Sequence, residues 1–464
     1  MIETIHIYHT NDLHSHFEKW PKITEYISKR RNFHQKHNEK VFLFDIGDHM
    51  DRFHPISEAF DGIKNVELLN HLGYDAVTIG NNEGITLPFD GLNAMYDNAT
   101  FHVLIANLFD NGNYPSWAKP YHIYTLESGI KIAVVGLTVY YHIFYKLLGW
   151  EIKDPIDALK HITQKVRQEV DAIILLSHLG INEDESIAEQ FPEIDIILGG
   201  HTHHLFPSGK HINHTLLCCA GKYGDYIGYA TLKIDTRKRA ILQKTATVIN
   251  TDQLVEESEF AKSLLAGYFK ESEQILGEVV AYLPETLSID WFNDSPLSTL
   301  LADALREWCD CEISMVNAGV LLGALKEGPV TLFDLHNICP HPINPCRVEL
   351  EGDELKEIIL QAQTEKMEQL EIKGLGFRGK IMGKMIYNGI DMETTTLSDG
   401  LRHVTKILIN GEPIDPKRKY TVATIDMFTF GRMFPEIRDA KEKKFFMPEM
   451  LRDVLREKLQ KEFS

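Results

Sequence analysis

The chain has 464 residues, 44% of them hydrophobic and 10% aromatic, which is longer than one domain usually runs and supplies apolar material for two cores. Its 48 Lys and Arg face 67 Asp and Glu, a formal net charge of −19, which argues against a nucleic-acid polymer or an anionic membrane surface as partner. The opening residues carry neither a basic leader nor a long apolar stretch, no apolar run reaches membrane-span length, and the six cysteines form no Cys-x-x-Cys pair. The expectation is a cytoplasmic protein with reduced thiols and no membrane partner.

Up to about residue 250 one pattern recurs: a short apolar run rich in β-formers ends in a polar residue able to bind a metal. Residues 2–8 lead into Asn11, Asp12, His14 and His16; 41–44 into Asp45, Gly47 and Asp48; 76–79 into Gly80, Asn81 and Asn82. Further on, 172–176 lead into Ser177 and His178, and 194–198 into Gly199, Gly200, His201, Thr202 and His203. Helix-like stretches at 22–31, 63–72 and 156–170 lie between them. Strands alternating with helices imply an α/β layered domain, in which strand ends converge on the binding site. Polar strand ends far apart in sequence should therefore meet in space.

The character then changes. Residues 256–275 are charged and helix-like and suit a connector or hinge between a first domain, 1–255, and a second, 276–464. The second shows its own strand signals at 313–316, 330–332, 347–350, 403–409 and 420–423. Asn410-Gly411 between two of them is a hairpin turn, and 448–463 reads as an amphipathic helix.

Carboxylate, amide and imidazole ligands without a thiolate suit Mn, Zn, Co or Fe. Asp12-x-His14 and Gly47-Asp48 are weak signals singly. Gly199-Gly200-His201-Thr202-His203 is stronger, because two glycines let the chain turn sharply after a buried strand and His-x-His aims two imidazoles at neighbouring ions. With 22 histidines in the chain, any one of them is as readily structural as functional; the ordered set of five strand ends is what carries weight.

That order and spacing resemble the calcineurin-like metallophosphoesterases, and within them the 5′-nucleotidase branch. Thr10-Asn11-Asp12-Leu13-His14 is similar to the branch's first motif. Asn293-Asp294-Ser295-Pro296-Leu297 with Ala302-Asp303-Ala304, Val316-Asn317-Ala318-Gly319 and Tyr420-Thr421-Val422-Ala423-Thr424 resemble its C-terminal domain. The resemblance implies a four-layer α/β/β/α metallophosphoesterase domain followed by a 5′-nucleotidase-type α+β domain that selects the substrate and rotates to carry it to the metals. It implies two divalent ions, one held by Asp12, His14, Asp48 and His203 and the other by Asp48, Asn81, His178 and His201, with Asp48 bridging. Two cations about 3.5–4 Å apart clamp a phosphoryl group and activate water for in-line attack. The substrate it implies is a small phosphoester, a nucleotide being the favoured class. Asp45 and Asn107 are candidates for orienting the ligands from behind, with turn or core roles as the alternative.

The chain departs from the branch in three places. Where a His normally follows the metal-binding Asn, with an Asp slightly further on, this chain has Asn82 and Ile85. An amide can hold a phosphoryl oxygen but supplies no proton, and general-acid help is worth about 10²–10⁴ in rate. The enzyme would then favour acidic leaving groups, as a nucleotide-sugar or dinucleotide pyrophosphatase or a cyclic-nucleotide phosphodiesterase does. Alternatively His49 or His54 substitutes, or the protein is a catalytically weak metal- and ligand-binding protein. A sulfur-ester hydrolase is a further possibility that no residue favours. After Gly319 the phosphate-binding Arg is replaced by Val320-Leu321-Leu322, and the late Gly-Gly-Asp motif by Phe430-Gly431-Arg432. Phe377, Phe428 and Phe430 are candidates for stacking on a base, with core packing as the alternative; Arg378, Arg432 and Arg438 are candidates for the missing phosphate contact.

Overall fold

A computed structural model describes residues 2–396 and 402–463 of the chain; positions 1 and 464, the outer ends of the two expected domains, lie outside them. The chain packs as two compact units, Met1–Ser272 and Glu273–Ser464. The stretch expected as a connector forms the helix Glu259–Leu276.

The first unit contains two stacked sheets. In the first, the strands run in the order Ala240–Asn250, Tyr226–Asp235, Ile2–Thr10, Lys40–Asp45, Ala76–Val77, His102–Leu104 and Ala118–Lys119. From Ile2–Thr10 to Ala118–Lys119 the pairing is parallel; the first two strands add on antiparallel. The second sheet runs Lys210–Ile212, Thr215–Cys219, Ile196–Gly199, Ala172–His178, Lys131–Thr138 and Tyr121–Thr125, with its centre parallel.

Strand alternation builds the core between the sheets. Ile5, Ile7, Phe42 and Phe44 of one sheet meet Val134, Ile174, Leu176, Ile196 and Leu198 of the other, all fully buried. Ile173, Leu175 and Ile197 point the opposite way, onto Leu159, Ile162 and Val166 of the helix Pro155–Val166 and Ile187 of Ile181–Gln190. The helix Trp20–Lys36 buries Trp20, Ile23 and Ile27. Helix, sheet, sheet and helix give the four-layer α/β/β/α arrangement. Asp154 caps Pro155–Val166, its carboxylate accepting from the N–H groups of Ile156 and Asp157, and Pro155 at the first turn fixes the start that the apolar pattern put one residue later.

Parallel strands present their carboxyl ends on one edge. Thr10 pairs with Asp45, Asp45 with Val77, and Ser177 with Gly199, so the polar residues that follow each strand emerge at matching levels.

The second unit is α+β. A five-stranded sheet runs Met385–Asn388, Ile313–Asn317, Lys419–Ile425, Pro345–Glu351 and Lys443–Phe445, with helices Pro296–Cys309, Gly352–Ala362 and Leu451–Phe463. The expected hairpin joins Arg402–Ile409 to Glu412–Pro413, with Asn410 and Gly411 both left-handed, at φ 48° and 85°. Among the described residues no helix is long and apolar enough to cross a membrane.

Candidate metal centre

The loops that follow the first two parallel strands run side by side and extend the ladder beyond the sheet. Ile46 donates its N–H to the Thr10 carbonyl at 2.9 Å, Asp12 to Gly47 at 3.0 Å, His14 to Asp48 at 2.7 Å and Ser15 to His49 at 2.9 Å. The backbone around the site is unusual. Asp12, His14, Asp48, His201 and His203 all lie in the left-handed region, with φ between 49° and 70°, at a cost of about 1 kcal/mol or more each for non-glycine residues. Five such residues in one place mark a site whose geometry is imposed by its surroundings.

Two glycines make the close approach possible. Gly47 has φ 86°, and a Cβ there would lie 2.4 Å from the Gly80 nitrogen. A Cβ on Gly80 would lie 2.1 Å from Asp48 Oδ1 and 2.6 Å from His178 Cε1. Glu83, buried on the next turn, accepts the N–H groups of Asp48, Gly80 and Met50 at 3.0, 2.8 and 2.9 Å. It ties the second and third strand ends together, and burial, with the charge of Asp48, pushes its carboxyl up to about 7.

The side chains converge as two groups whose ligand atoms lie within 4.8 Å of one another: Asp12, His14 and His203, and Asp48, His178 and His201. His14 Nε2 and His203 Nε2 face each other at 3.1 Å. Two nitrogens bound to one ion at about 2.0–2.1 Å sit roughly 3.0–3.4 Å apart, so the pair is set at ligand spacing. Asp48 Oδ2 lies 3.4 Å from His178 Nε2 and 3.6 Å from His14 Nε2, at ligand spacing from both groups. Asn81 Oδ1 joins the second group, 2.9 Å from His201 Nδ1. All seven predicted ligand residues are thus brought together.

The donor set fits cations. Asp12 and Asp48 are 0% and 2% exposed. Burial alone would raise both carboxyls, but the imidazoles outweigh it, His203 and His178 for Asp12 and His178 and His14 for Asp48, and hold both below the ordinary range. His178 responds in the opposite sense: burial lowers it, yet Asp48 and Asp12 carry it up to about 10. His178 Nδ1 donates to the Ile46 carbonyl at 2.7 Å, and its Nε2 is buried without a hydrogen-bond partner. Such an atom, facing two buried carboxylates at 3.4 and 4.0 Å, belongs to a group that could hold a cation. Asp51 does for His14 what Ile46 does for His178, accepting from Nδ1 at 3.0 Å and leaving Nε2 for the cluster.

Several orienting groups had only faint sequence signals. Asp51 follows Asp48 by three residues and Glu83 follows Asn81 by two, spacings that ordinary turns share. The Tyr141 hydroxyl, 3.2 Å from His201 Nε2, has no local signal. The two residues considered for orienting ligands do other work. Asp45 accepts from Thr10 Oγ1 and from the Gly47 N–H within its own turn, and Asn107 bonds both ways with the Thr138 backbone.

Asn82 donates its backbone N–H to Asp48 Oδ1 and its side-chain amide to Asp48 Oδ2, both at 2.8 Å. His49 packs edge-on against Trp20, with Nδ1 near the Asn65 amide, and burial lowers its pKa to about 3, so the ring is neutral at neutral pH. His54 caps a short helix through the Ile56 N–H.

In the second unit the aromatic candidates diverge. Phe428 is fully buried with its ring against the Phe434 edge, and Phe377 is 4% exposed and stacked on His341; core packing accounts for both. Phe430 is half-buried and Arg432 exposed. Arg438 forks onto its neighbour Asp439, and the Arg378 guanidinium reaches the Phe377 carbonyl.

Residues 5–205 match the calcineurin-like phosphoesterase family and residues 279–433 the C-terminal domain of 5′-nucleotidases. YunD of Bacillus subtilis (strain 168), an uncharacterized metallophosphoesterase, is 53% identical over 460 residues, spanning 99% of this chain and 100% of that one. The chain belongs to the metallophosphoesterases of the 5′-nucleotidase family. A 5′-nucleotidase of Vibrio cholerae is 24% identical over 93% of this chain and 86% of its own. The Haemophilus influenzae NAD nucleotidase shares the fold at a TM-score of 0.69 and 18% identity, over 99% of this chain and 96% of that one. As a member of this metallophosphoesterase family the chain is a hydrolase of phosphoric esters, and the family's divalent metals find His and Asp groups able to hold them here.

Two outcomes test the construction of the site. Gly80→Ala should displace Asp48 and abolish metal retention while leaving the fold intact, read by metal analysis alongside circular dichroism. Asp51→Asn should weaken metal affinity by about 10–100-fold, measured by competition with a chelator; unchanged affinity would remove Asp51 from its orienting role.

Proposed function

We propose that the chain hydrolyses a small phosphoester, of the nucleotide class, at a two-ion centre whose ligands are Asp12, His14, Asp48 and His203 on one side and Asp48, Asn81, His178 and His201 on the other. The observation that carries this reading is the convergence of one buried imidazole nitrogen, His178 Nε2, on two buried carboxylates, 3.4 Å from Asp48 and 4.0 Å from Asp12. Divalent ions held there supply positive charge to phosphoryl oxygens and make water acidic enough to attack at neutral pH; Mn, Zn, Co and Fe all suit the donors.

The chain's own residues set the rest. The Ile46 carbonyl and Asp51 hold the Nδ1–H of His178 and His14, so each would present its Nε2 lone pair inward once an ion displaces the proton there. Asn82 holds both oxygens of Asp48 and acts as a positioning residue for the bridging carboxylate. His203, with 30% of its side chain exposed, lies on the side open to solvent, where substrate would enter. Selection of the substrate by the second unit, through groups such as Phe430 and Arg432, belongs to the same proposal, as does a cytoplasmic location.

A second reading, pyrophosphate or phosphodiester hydrolysis, is favoured by position 82. The amide there is engaged with Asp48 and carries no proton for a leaving alkoxide, and the nearby His49 is held neutral. Leaving groups that need no protonation, such as a nucleoside monophosphate expelled from a dinucleotide, escape this handicap.

Asp48→Asn should lose both bound metal and turnover of bis(p-nitrophenyl) phosphate; a folded variant that keeps both contradicts the centre. On a panel of AMP, UDP-sugars, cyclic nucleotides and bis(p-nitrophenyl) phosphate, wild-type protein should favour the more acidic leaving groups. Asn82→His should raise AMP hydrolysis selectively, by up to about 10²-fold. A wild-type preference for AMP would refute the leaving-group argument and leave the metal centre standing.

A further inference from the structure

We propose a separate metal site, formed by His6, His34 and Glu39, that takes a zinc-class transition-metal ion on the helix-covered face of the first sheet. In the strand Ile2–Thr10, alternation sends Ile5 and Ile7 into the core between the sheets, and His6 and Tyr8 to the other face, toward the helix Trp20–Lys36. His34 lies in the last turn of that helix. Glu39 follows it, its N–H donating to the His34 carbonyl at 2.9 Å, which folds the carboxylate back over the rings.

His34 Nδ1 is 2.8 Å and His6 Nε2 is 3.5 Å from Glu39 Oε2, and the three ligand atoms lie within 4.8 Å of one another. The remote nitrogen of each ring is anchored: His6 Nδ1 lies 2.7 Å from the Tyr229 hydroxyl and His34 Nε2 3.1 Å from the Tyr8 hydroxyl. For His6 this is how metal-binding imidazoles are usually oriented; the Tyr8 hydroxyl beside His34 also accepts from Arg30 Nε at 3.0 Å.

A simple hydrogen-bonded staple accounts for His34 and Glu39 but not for His6. The His6 residue is only 8% exposed, and its Nε2 is buried without a hydrogen bond, 3.5 Å from the carboxylate. Burial keeps the ring neutral at neutral pH, lowering its pKa to about 4, so a lone pair is available there.

Two imidazoles and one carboxylate match zinc and its neighbours, with a fourth position left for water. The Glu39 side chain is 38% exposed, so an ion can enter from solvent. The rings are stacked at 4.0 Å with 29° between their planes, so both ring nitrogens face the carboxylate from one side. The Arg30 guanidinium, 3.5 Å from His34 Nε2, lies on the far side of that ring and disfavours ions held by charge alone, such as Ca²⁺. The site lies about 13 Å back along the strand from Thr10, so its role is to fasten helix to strand rather than to act on substrate.

Metal-stripped wild-type and Glu39→Gln proteins, reloaded with Zn²⁺ and dialysed, are to be counted by mass spectrometry of the bound metal. Wild type should retain one zinc equivalent more than Glu39→Gln, with the same phosphoesterase activity in both. Equal zinc counts would overturn the site. His6→Gln gives a second count if Glu39→Gln does not fold; a His6→Gln protein with native circular dichroism and the wild-type zinc count overturns the site equally.

Discussion

The architecture of the first unit is organised around two deeply buried carboxylates. Asp12 and Asp48 stand within 4.0 Å of the same imidazole nitrogen, and an ionised pair in that position is tolerable only beside positive charge. In the chain by itself the imidazoles of His178 and His14 meet that demand in part. Divalent ions meet it more fully, and metal binding would then displace protons from those rings. The same constraint explains why the ligands come from five strand ends. No single element can surround a pair of buried charges, whereas the carboxyl ends of parallel strands in two stacked sheets do so from several directions.

Holding them there demands backbone that most residues avoid. The left-handed conformations of Asp12, His14 and Asp48 are sustained by the ladder between the first two loops and by Glu83, which gathers three N–H groups, and His201 is tied to them by its N–H on the Asp12 carboxylate. Strain of this kind persists only when the surroundings over-determine it. It also explains why substitutions that add a single carbon at Gly47 or Gly80 are ones the site cannot absorb, since the neighbours they would meet are backbone atoms, the Asp48 carboxylate or the His178 ring.

Much of this was legible in the sequence because it is local. An alternating apolar run ending in Asp, Asn or His shows both strand and ligand, and Gly-Gly-His-Thr-His shows a sharp turn with paired imidazoles. The groups that orient the ligands were not legible, because they act across the fold. Asp51 reaches back to His14, Tyr141 reaches His201, and the His178 partner is a backbone carbonyl at Ile46. Nor does sequence show where a side chain aims. Asn82 stands beside Asn81 as expected, yet that its amide grips both oxygens of Asp48 is a matter of tertiary geometry. Phe428 looked like any aromatic near the end of a strand until its burial against Phe434 became visible. His6 is a polar position in an alternating strand, and only the packing of the first helix brings His34 and Glu39 to it.

The central claim is that the converging side chains hold two ions with Asp48 between them. Anomalous diffraction from crystals grown with Mn²⁺ tests this most directly. Two peaks are predicted, one within bonding distance of Asp12, His14 and His203 and the other of Asn81, His178 and His201, with an Asp48 oxygen bonded to both. A single peak, or peaks that leave His178 Nε2 unbound, would contradict the account.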